Sequence, residues 1–357
     1  MDVLYVIKGL GLGGAERHVV ECCIAAKANG YDVCVLYFLK NKNQIEHELR
    51  EKDIPVFFVK KNPWWIFSFF LFVKLIFLYR PKVVHAHLPI PALIARLFKF
   101  FFSYRMITTE HNVYGRLHPI TRFLHRTLHF LDDATVSCSE AVALSLPWST
   151  QIIDNGISVP DRPLCLGEVR HRLGIRSDAI VFICVANLLK KKNHEMLIRA
   201  FDQMIAVKSL PCHLVLVGQD GTEKPKLKSL VGQLQSADCI HFWGPHPRAS
   251  NLIFDADIFC LSSDYEGLPL ALLESMFVGL PSIVTKAGGM PSAVEDQMSG
   301  FVVDVANQES FSHSMAVLAD NAELRKRMGQ RATEIASGRF SVEAMFEKLS
   351  LIYRKDV

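Results

Sequence analysis

Residues 262–275 read SSDYEGLPLALLES and carry two glutamates eight positions apart at a predicted strand-to-helix junction. The preceding residues 256–261, ADIFCL, form an apolar run typical of a buried parallel strand. The glycine and proline between the glutamates favour a tight turn and then the first turn of a helix. Glu266 is therefore predicted at the carboxyl end of a strand, where open α/β sheets bind ligands. Glu274 is predicted about one and a half turns into the following helix.

The rest of the chain predicts an α/β architecture with two domains. Strand-like and helix-like segments alternate from the start, and the alternation begins again after a link rich in glycine and proline at residues 155–163. This pattern indicates two doubly wound parallel sheets. We therefore expect an amino-terminal domain over residues 1–157, a carboxyl-terminal domain over 158–340, and a final helix over 341–357 that returns to the first domain.

Several other protein classes share a two-domain α/β pattern. A periplasmic binding protein is disfavoured because the amino terminus, MDVLYVIK, reads as a first strand and not as a signal peptide. A dehydrogenase is disfavoured because the glycines at 9–14 lack the dinucleotide spacing, and residues 36–38 lack the expected acid. The nine cysteines are scattered, which predicts reduced thiols in a cytosolic protein. No residue spacing suggests a metal site, so no metal is expected.

Three segments could bind an anionic ligand. Gly13 and Gly14 lead directly into a helix start, where free amides and the helix dipole favour an anion. Residues 187–194, NLLKKKNH, follow a predicted strand, and a lysine there could neutralise a diphosphate leaving group. His111 follows another short strand. Each segment has a plainer alternative. The glycines could form an ordinary turn, the lysines a solvated basic loop, and His111 could be structural.

The spaced glutamates, the GGAER loop at 13–17 and the Thr-x-His-Asn segment at 109–112 resemble the retaining glycosyltransferases of family 4. The resemblance covers nearly the whole chain. It implies the GT-B fold, in which two Rossmann-like domains face each other across a cleft. It also implies a reaction on one face of the sugar, in which the departing phosphate oxygen accepts the proton of the acceptor. No obligatory metal is implied.

The resemblance assigns roles to particular residues. Glu266, His111 and Lys192 would be the catalytic set, with the first two beside the donor sugar and Lys192 at the diphosphate. Glu274 would hold the ribose. Further donor contacts are implied for Gly13, Gly14, Asn187, Lys190, Trp243, Gly244, Gly267, Leu268 and Pro269. Asn187 stands where the family has an arginine, and Ser292 stands where a Gly-Gly-x-Pro-Glu loop has its glutamate.

The first half of the chain suggests where the acceptor comes from. Residues 64–80 are strongly apolar but short for a membrane span, and 93–105 form a second aromatic and basic stretch. Residues 55–126 contain eleven Lys or Arg and a single acid. These features predict helices that lie in an anionic membrane interface. The alternative is that the helices cover a sheet and bury their apolar residues, including Phe69, Phe70, Phe72, Val73, Ile76 and Phe77. A polar soluble acceptor is a further alternative. Nucleic-acid binding is disfavoured because other motifs for it are scarce.

The sequence therefore predicts a retaining glycosyltransferase that moves a hexose or N-acetylhexosamine from a nucleotide diphosphate sugar. UDP is the favoured nucleotide, and a lipid-linked glycan at the cytoplasmic face of the inner membrane is the favoured acceptor. Two alternatives stay open. One is a sugar-nucleotide epimerase of the same shape, and the other is a non-catalytic, sugar-nucleotide-binding membrane scaffold.

Overall fold

The structure is a computed structural model that describes residues 1–39, 42–58, 64–207 and 210–354, with the backbone alone at 64–66 and 68. The side chains of Trp64 and Trp65, which contribute to the predicted membrane interface, lie outside this description, as do Lys60 and Lys61. The chain forms two compact units. One comprises Met1–Ser158 with Arg339–Val357, and the other comprises Val159–Gly338.

The first unit is a parallel sheet covered by helices. Its described strands pair in the order β3-β2-β1-β4-β5-β6-β7. The strands are β1 (Val3–Ile7), β2 (Val33–Tyr37), β3 (Val56–Phe58), β4 (Val83–His87), β5 (Arg105–Glu110), β6 (Ala134–Ser137) and β7 (Gln151–Ile152). The helices are α1 (Gly14–Ala28), α2 (Glu46–Glu51), α3 (Trp64–Tyr79), α4 (Pro89–Phe98), α5 (Pro119–Leu128) and α6 (Glu140–Ser145).

The second unit repeats this architecture, with strand order β10-β9-β8-β11-β12-β13. The strands are β8 (Ile180–Val185), β9 (Cys212–Val217), β10 (Ile240–Gly244), β11 (Ile258–Leu261), β12 (Ser282–Thr285) and β13 (Gly300–Val303). The helices are α7 (Glu168–Leu173), α8 (His194–Ile205), α9 (Lys224–Val231), α10 (Ala249–Ile253), α11 (Leu270–Val278), α12 (Met290–Ala293), α13 (Gln308–Asp320) and α14 (Ala322–Arg339). The prediction of two doubly wound parallel sheets is confirmed.

The central strand β1 shows why a parallel sheet forms. All five of its residues are buried. Successive side chains of a strand point to opposite faces, and a strand covered on both faces must be apolar throughout. Accordingly Val3, Tyr5 and Ile7 belong to one core cluster, whereas Leu4 and Val6 belong to another.

The last helix, α15 (Val342–Arg354), belongs to the first unit although it follows the second in sequence. Its residues Met345, Phe346, Leu349 and Ile352 enter the same core cluster as α1. The Tyr353 hydroxyl lies 3.0 Å from the Tyr5 hydroxyl, which ties the end of the chain to the central strand. One face of the first sheet is therefore covered by α1 together with α15.

The apolar helix α3 contributes to the opposite face. Phe72, Leu75 and Ile76 are buried in the second core cluster. Phe70 and Phe77, by contrast, are 62% and 68% exposed. Thus α3 is a sheet-covering helix on one side and an exposed apolar surface on the other. Among the described helices, none is both long enough and apolar enough to cross a membrane.

A buried ion pair joins α4 to the loop before β6. Arg96 Nε and Nη2 donate to the two carboxylate oxygens of Asp132 at 2.8 and 2.5 Å, and both side chains are shielded from solvent. We expect Asp132→Asn to destabilise the first unit by about 3–5 kcal/mol, because it leaves a buried guanidinium without its counter-charge. Urea unfolding measures this loss.

The control is Asp178→Asn, which changes the Arg176–Asp178 pair. That pair has the same two-pronged geometry but lies at the surface. Exposed pairs contribute little, so unfolding should hardly change. Equal effects of the two substitutions would show that burial does not set the importance of the Arg96–Asp132 pair.

Candidate active site

The second sheet reverses its strand order at β8. The chain runs from β8 outward to β9 and β10, and then crosses back to place β11 on the other side of β8. The loops that follow β8 and β11 therefore leave the same sheet edge in different directions. In open α/β sheets the crevice at such a point is where ligands bind.

Glu266 lies in the loop after β11 and is surrounded by lysines from the loop after β8. Its Oε1 accepts a hydrogen bond from Ser263 Oγ at 2.8 Å and forms an ion pair with Lys192 Nζ. The Nζ of Lys191 lies 3.9 Å from Oε2. Glu266 is buried, so the two ammonium groups supply the counter-charge that a buried carboxylate requires. The cluster carries one more positive than negative charge.

The sequence interpretation named Lys190 and did not name Lys191. Residues Lys190–Lys192 form a single turn of 3₁₀ helix, and Lys190 is exposed, whereas Lys191 and Lys192 are half-buried. In a run of three identical side chains, only the turn geometry decides which of them point inward. The spacing along the chain carries no signal for that choice.

Hydrogen bonds join the two loops that hold this cluster. Asn193 adopts a left-handed conformation and donates through Nδ2 to Asp264 Oδ1 at 2.8 Å. The Asp264 amide donates to the Lys191 carbonyl at 2.8 Å, and Ser262 Oγ donates to the Lys192 carbonyl at 3.0 Å. Glu266 and the lysines are therefore held by a common frame.

The glycine loop at 288–289 packs directly against the Glu266 turn. Gly288 has a φ of +56°, and a Cβ at this position would overlap the Glu266 carbonyl. The Gly289 amide donates to the Gly267 carbonyl at 2.6 Å. Only glycine allows the two loops to approach this closely.

The two departures from the family pattern have structural roles. Asn187 Oδ1 accepts from the Gln219 amide at 2.9 Å, so this side chain joins the loops after β8 and β9. Ser292 Oγ donates to the Gly289 carbonyl at 2.9 Å. Glu295 forms a two-pronged ion pair with Arg331 at 2.8 Å, which occupies its carboxylate.

The other predicted donor contacts in this unit lie on the same sheet edge. Leu268 is buried, Pro269 caps the start of α11, and Glu274 is half-buried within that helix. Trp243 and Gly244 end β10, two strands from β8. The Trp243 ring lies 4.2 Å below the Arg172 guanidinium.

The first sheet also reverses its strand order, between β1 and β4. Gly13 is the residue before α1, and Gly14 is the first residue of that helix. The Glu16 side chain lies so close to Gly13 that a Cβ there would overlap its carboxyl oxygen. Burial raises the pKa of Glu16. The predicted anion site at this helix start therefore already has an acidic side chain beside it.

Histidines gather at the same edge of the first sheet. His111 follows β5 and is half-buried, and its Nε2 lies 3.1 Å from Nδ1 of His87, which ends β4. His18 of α1 contacts both rings, with centroid distances of 5.0 Å to His111 and 5.5 Å to His87. The sequence interpretation missed His18, because a single histidine in a helix gives no signal until the fold places it beside others.

Glu110 lies immediately before His111 and is buried. Its Oε1 is 3.5 Å from Nε2 of His125. Burial raises the pKa of the Glu110 carboxyl to about 7. An unfolded glutamate titrates near ~4.3, so between these values the folded state binds more protons than the unfolded state. The contribution of Glu110 to stability therefore decreases as pH rises from about 4 to about 7.

We expect Glu110→Gln to remove this dependence. Relative to the parent protein, the variant should become more stable as pH rises from about 5 to about 8. Denaturant unfolding gives the free energy of unfolding of both proteins at the two pH values. Titrating groups that the variant and the parent share largely cancel when the two free energies are subtracted. Glu51→Gln, on the exposed end of α2, is the control and should show no such trend. A constant difference for Glu110→Gln would mean that Glu110 does not titrate in this range.

Comparison with known proteins identifies the class of this fold and site. The sequence model described as "Glycosyltransferase Family 4" matches residues 12–157, and that of "Glycosyl transferases group 1" matches 167–335. The two matched regions cover most of the chain in order, and the two parallel-sheet domains define the GT-B fold. The chain belongs to glycosyltransferase family 4.

Curated relatives resemble part of the chain. The N-acetyl-alpha-D-glucosaminyl L-malate synthase of Bacillus anthracis is 28% identical over 186 residues, which are 52% of this chain and 48% of the relative. A UDP-Gal:alpha-D-GlcNAc-diphosphoundecaprenol alpha-1,3-galactosyltransferase of Escherichia coli is 24% identical over 211 residues. These are 58% of this chain and 54% of the relative. These matches thus span about half the length of the relatives.

Solved structures resemble the whole chain in fold. Anabaena HepE in complex with UDP and glucose superposes with a TM-score of 0.87 at 17% identity, covering 100% of both chains. At this identity the likeness establishes the fold alone. It confirms the predicted GT-B fold.

Proposed function

We propose that this protein is a retaining glycosyltransferase that transfers a hexose or N-acetylhexosamine from a nucleotide diphosphate sugar to a lipid-linked glycan. The observation that carries the proposal is the Glu266 cluster at the β8/β11 reversal. A buried carboxylate, two lysines and a tightly packed glycine loop meet there, at the sheet edge where nucleotides bind in α/β folds.

The cluster suits cleavage of a sugar-phosphate bond. Negative charge develops on the diphosphate as it departs, and fixed positive groups stabilise such charge best. Lys192 and Lys191 provide these groups, while Glu266 holds them in place and can accept hydrogen bonds from sugar hydroxyls. The acceptor attacks the face from which the diphosphate leaves, and its proton passes to a departing phosphate oxygen. The proposal requires no metal and no covalent intermediate.

The remaining assignments rest on the family resemblance. Glu274 is assigned to the ribose, and Trp243 and Gly244 to the base. His111 and the Gly13-Gly14 loop are assigned to the sugar. UDP is the preferred nucleotide, because the name of the Escherichia coli relative specifies UDP-Gal and HepE is solved with UDP. The name of the Escherichia coli relative also specifies a diphosphoundecaprenol acceptor, which supports a lipid-linked acceptor here.

Exposed apolar groups on the first unit support the membrane part of the proposal. Phe69 of α3 packs on Phe98 of α4, and α4 in turn packs against α5, so these helices form a continuous surface. The exposed apolar side chains on these helices and in the turns that follow them include Phe67, Phe69, Phe70, Phe77, Leu78, Tyr79, Ile90, Leu97, Phe100, Phe101, Ile120, Phe123, Leu124 and Phe130. Such a surface suits the boundary between lipid headgroups and acyl chains.

The charge of this surface is smaller than the sequence count indicates. Arg96 is used in the buried pair with Asp132, Lys99 pairs with Asp133, and Lys82 pairs with Asp2. Lys74, Arg80 and Arg126 are exposed in the same unit. Apolar contact therefore supplies the main attraction to a membrane, and these cations add to it on anionic lipid.

The first experiment measures UDP affinity and sugar transfer for single-residue variants. Glu274→Ala should weaken UDP binding by roughly ten- to a hundredfold, as expected for loss of a hydrogen bond that a carboxylate accepts from a ribose hydroxyl. Glu266→Gln should lower turnover by about a hundredfold or more while UDP still binds. Glu309→Ala, at the exposed start of α13, is the control and should change neither.

Product analysis separates the three readings of the function. Transfer to a polyprenyl-diphosphate sugar with retention of the anomeric configuration, measured by NMR coupling constants, supports the proposal. Release of an epimerised free sugar without an acceptor would indicate an epimerase. UDP-sugar binding with neither product would indicate a scaffold. If folded protein bound none of UDP, GDP and ADP, the donor site itself would be wrong.

The second experiment tests the membrane surface with sedimenting vesicles. The double variant Phe100→Ser, Phe101→Ser should lose most binding to vesicles that contain anionic lipid, because two exposed rings no longer insert. Lys74→Gln should weaken binding by about fivefold, since one cation near such a surface contributes ~1 kcal/mol. Leu164→Ser removes an exposed side chain from the other unit and should have no effect. Unchanged binding by the double variant would contradict the assignment.

A further inference from the structure

Three histidines from separate elements converge in the first unit, and the proposed transfer does not use two of them. They are His18 in α1, His87 at the end of β4 and His111 after β5. One ring nitrogen from each can be chosen so that all three atoms lie within 4.8 Å of one another. The closest pair, His87 Nδ1 and His111 Nε2, is 3.1 Å apart.

The group includes buried ring nitrogens that have no hydrogen-bond partner. Within the described residues, these are His18 Nδ1 and His87 Nε2. His18 Nδ1 is therefore available to an ion, whereas His87 faces His111 through its other nitrogen, Nδ1. Neutral imidazole nitrogen is the form that ligates a metal.

Neighbouring groups that could compete as ligands are already engaged or lie outside the cluster. His85 lies beside His87, but its Nδ1 is 2.7 Å from the Tyr353 hydroxyl and its Nε2 is 2.7 Å from the Thr109 hydroxyl. Cys22 Sγ lies 3.4 Å from His18 Nε2, but it does not belong to the group whose ligand atoms all lie within 4.8 Å of one another. The donors that face one another are therefore three nitrogens.

We propose that His18, His87 and His111 form a three-imidazole site for a divalent transition-metal ion of the Zn²⁺ or Co²⁺ type. Tetrahedral coordination with metal–nitrogen bonds of about 2.0–2.1 Å places ligand nitrogens about 3.3 Å apart. The His87–His111 pair is close to that separation. His18 would come to the same separation by rotation about its side-chain bonds. His18 and His87 are buried and His111 is half-buried, so an ion enters from the His111 side and keeps one position open to water.

Imidazole nitrogen favours these borderline ions over Mg²⁺ or Ca²⁺, which prefer oxygen ligands. The site shares His111 with the proposed sugar contacts but none of the donor-binding residues of the second unit, and its test measures metal binding without any sugar transfer. It is a binding site of the first unit in its own right.

The experiment adds CoCl₂ to the full-length protein and records the visible spectrum, followed by displacement with ZnCl₂. We expect one equivalent of Co²⁺ to give the intense visible bands of tetrahedral coordination, and Zn²⁺ to abolish them. His18→Asn and His111→Asn should each weaken binding by at least about tenfold, as for loss of one of three ligands. His18 is buried, so its replacement could disturb packing. The half-buried His111 provides a second variant in which packing is disturbed less than in His18→Asn.

The control is His241→Asn. His213 on β9 and His241 on β10 form another histidine pair in the second unit, with ring nitrogens 3.0 Å apart. This variant should retain the bands and the affinity. A strong near-ultraviolet band from cobalt–thiolate charge transfer would place the ion on cysteine and overturn the proposal. Absence of visible bands, or full affinity in both His18→Asn and His111→Asn, would overturn it as well.

Discussion

The pairing of β8 with β11 is the constraint on which the candidate active site depends. The two strands are neighbours in space, although two other strands of the sheet lie between them in sequence. The lysine turn and Glu266 therefore meet across 74 positions of chain. Strand hydrogen bonds fix this edge, and the loop contacts from Asn193 and Ser262 then set the side chains. Without the reversal of strand order, the loops would lie parallel and leave no crevice.

The fold was largely predictable from the sequence because parallel strands must be apolar on both faces. Runs such as Val3–Ile7 stand out against the amphipathic helices between them. The strands that escaped prediction, β7 and β13, are short strands at the sheet edges, of two and four residues. Gln151 is exposed in β7, and Gly300 begins β13.

Residues of the candidate site were predictable only where they belong to a recognisable sequence motif. The spaced glutamates led to the loop after β11 and to α11, where the structure places Glu266 beside Lys192. The distinction between Lys190 and Lys191 depends on a single helical turn, which composition does not encode. The structural role of Asn187 toward Gln219 and the grouping of His18 with His111 arise from contacts between distant segments. Periodicity along the chain is insensitive to such contacts.

The position of α15 has a consequence for how the protein is made. Proteins emerge from the ribosome with the amino terminus first, and domains tend to fold as they appear. Here the first sheet needs Phe346, Leu349 and Tyr353 to complete the cover of one face, yet these residues follow the entire second domain. The second domain can finish folding while the first is still open on that face. The domain that is synthesised first is therefore completed last, and one apolar face of its sheet lacks part of its cover until the end of the chain has been made.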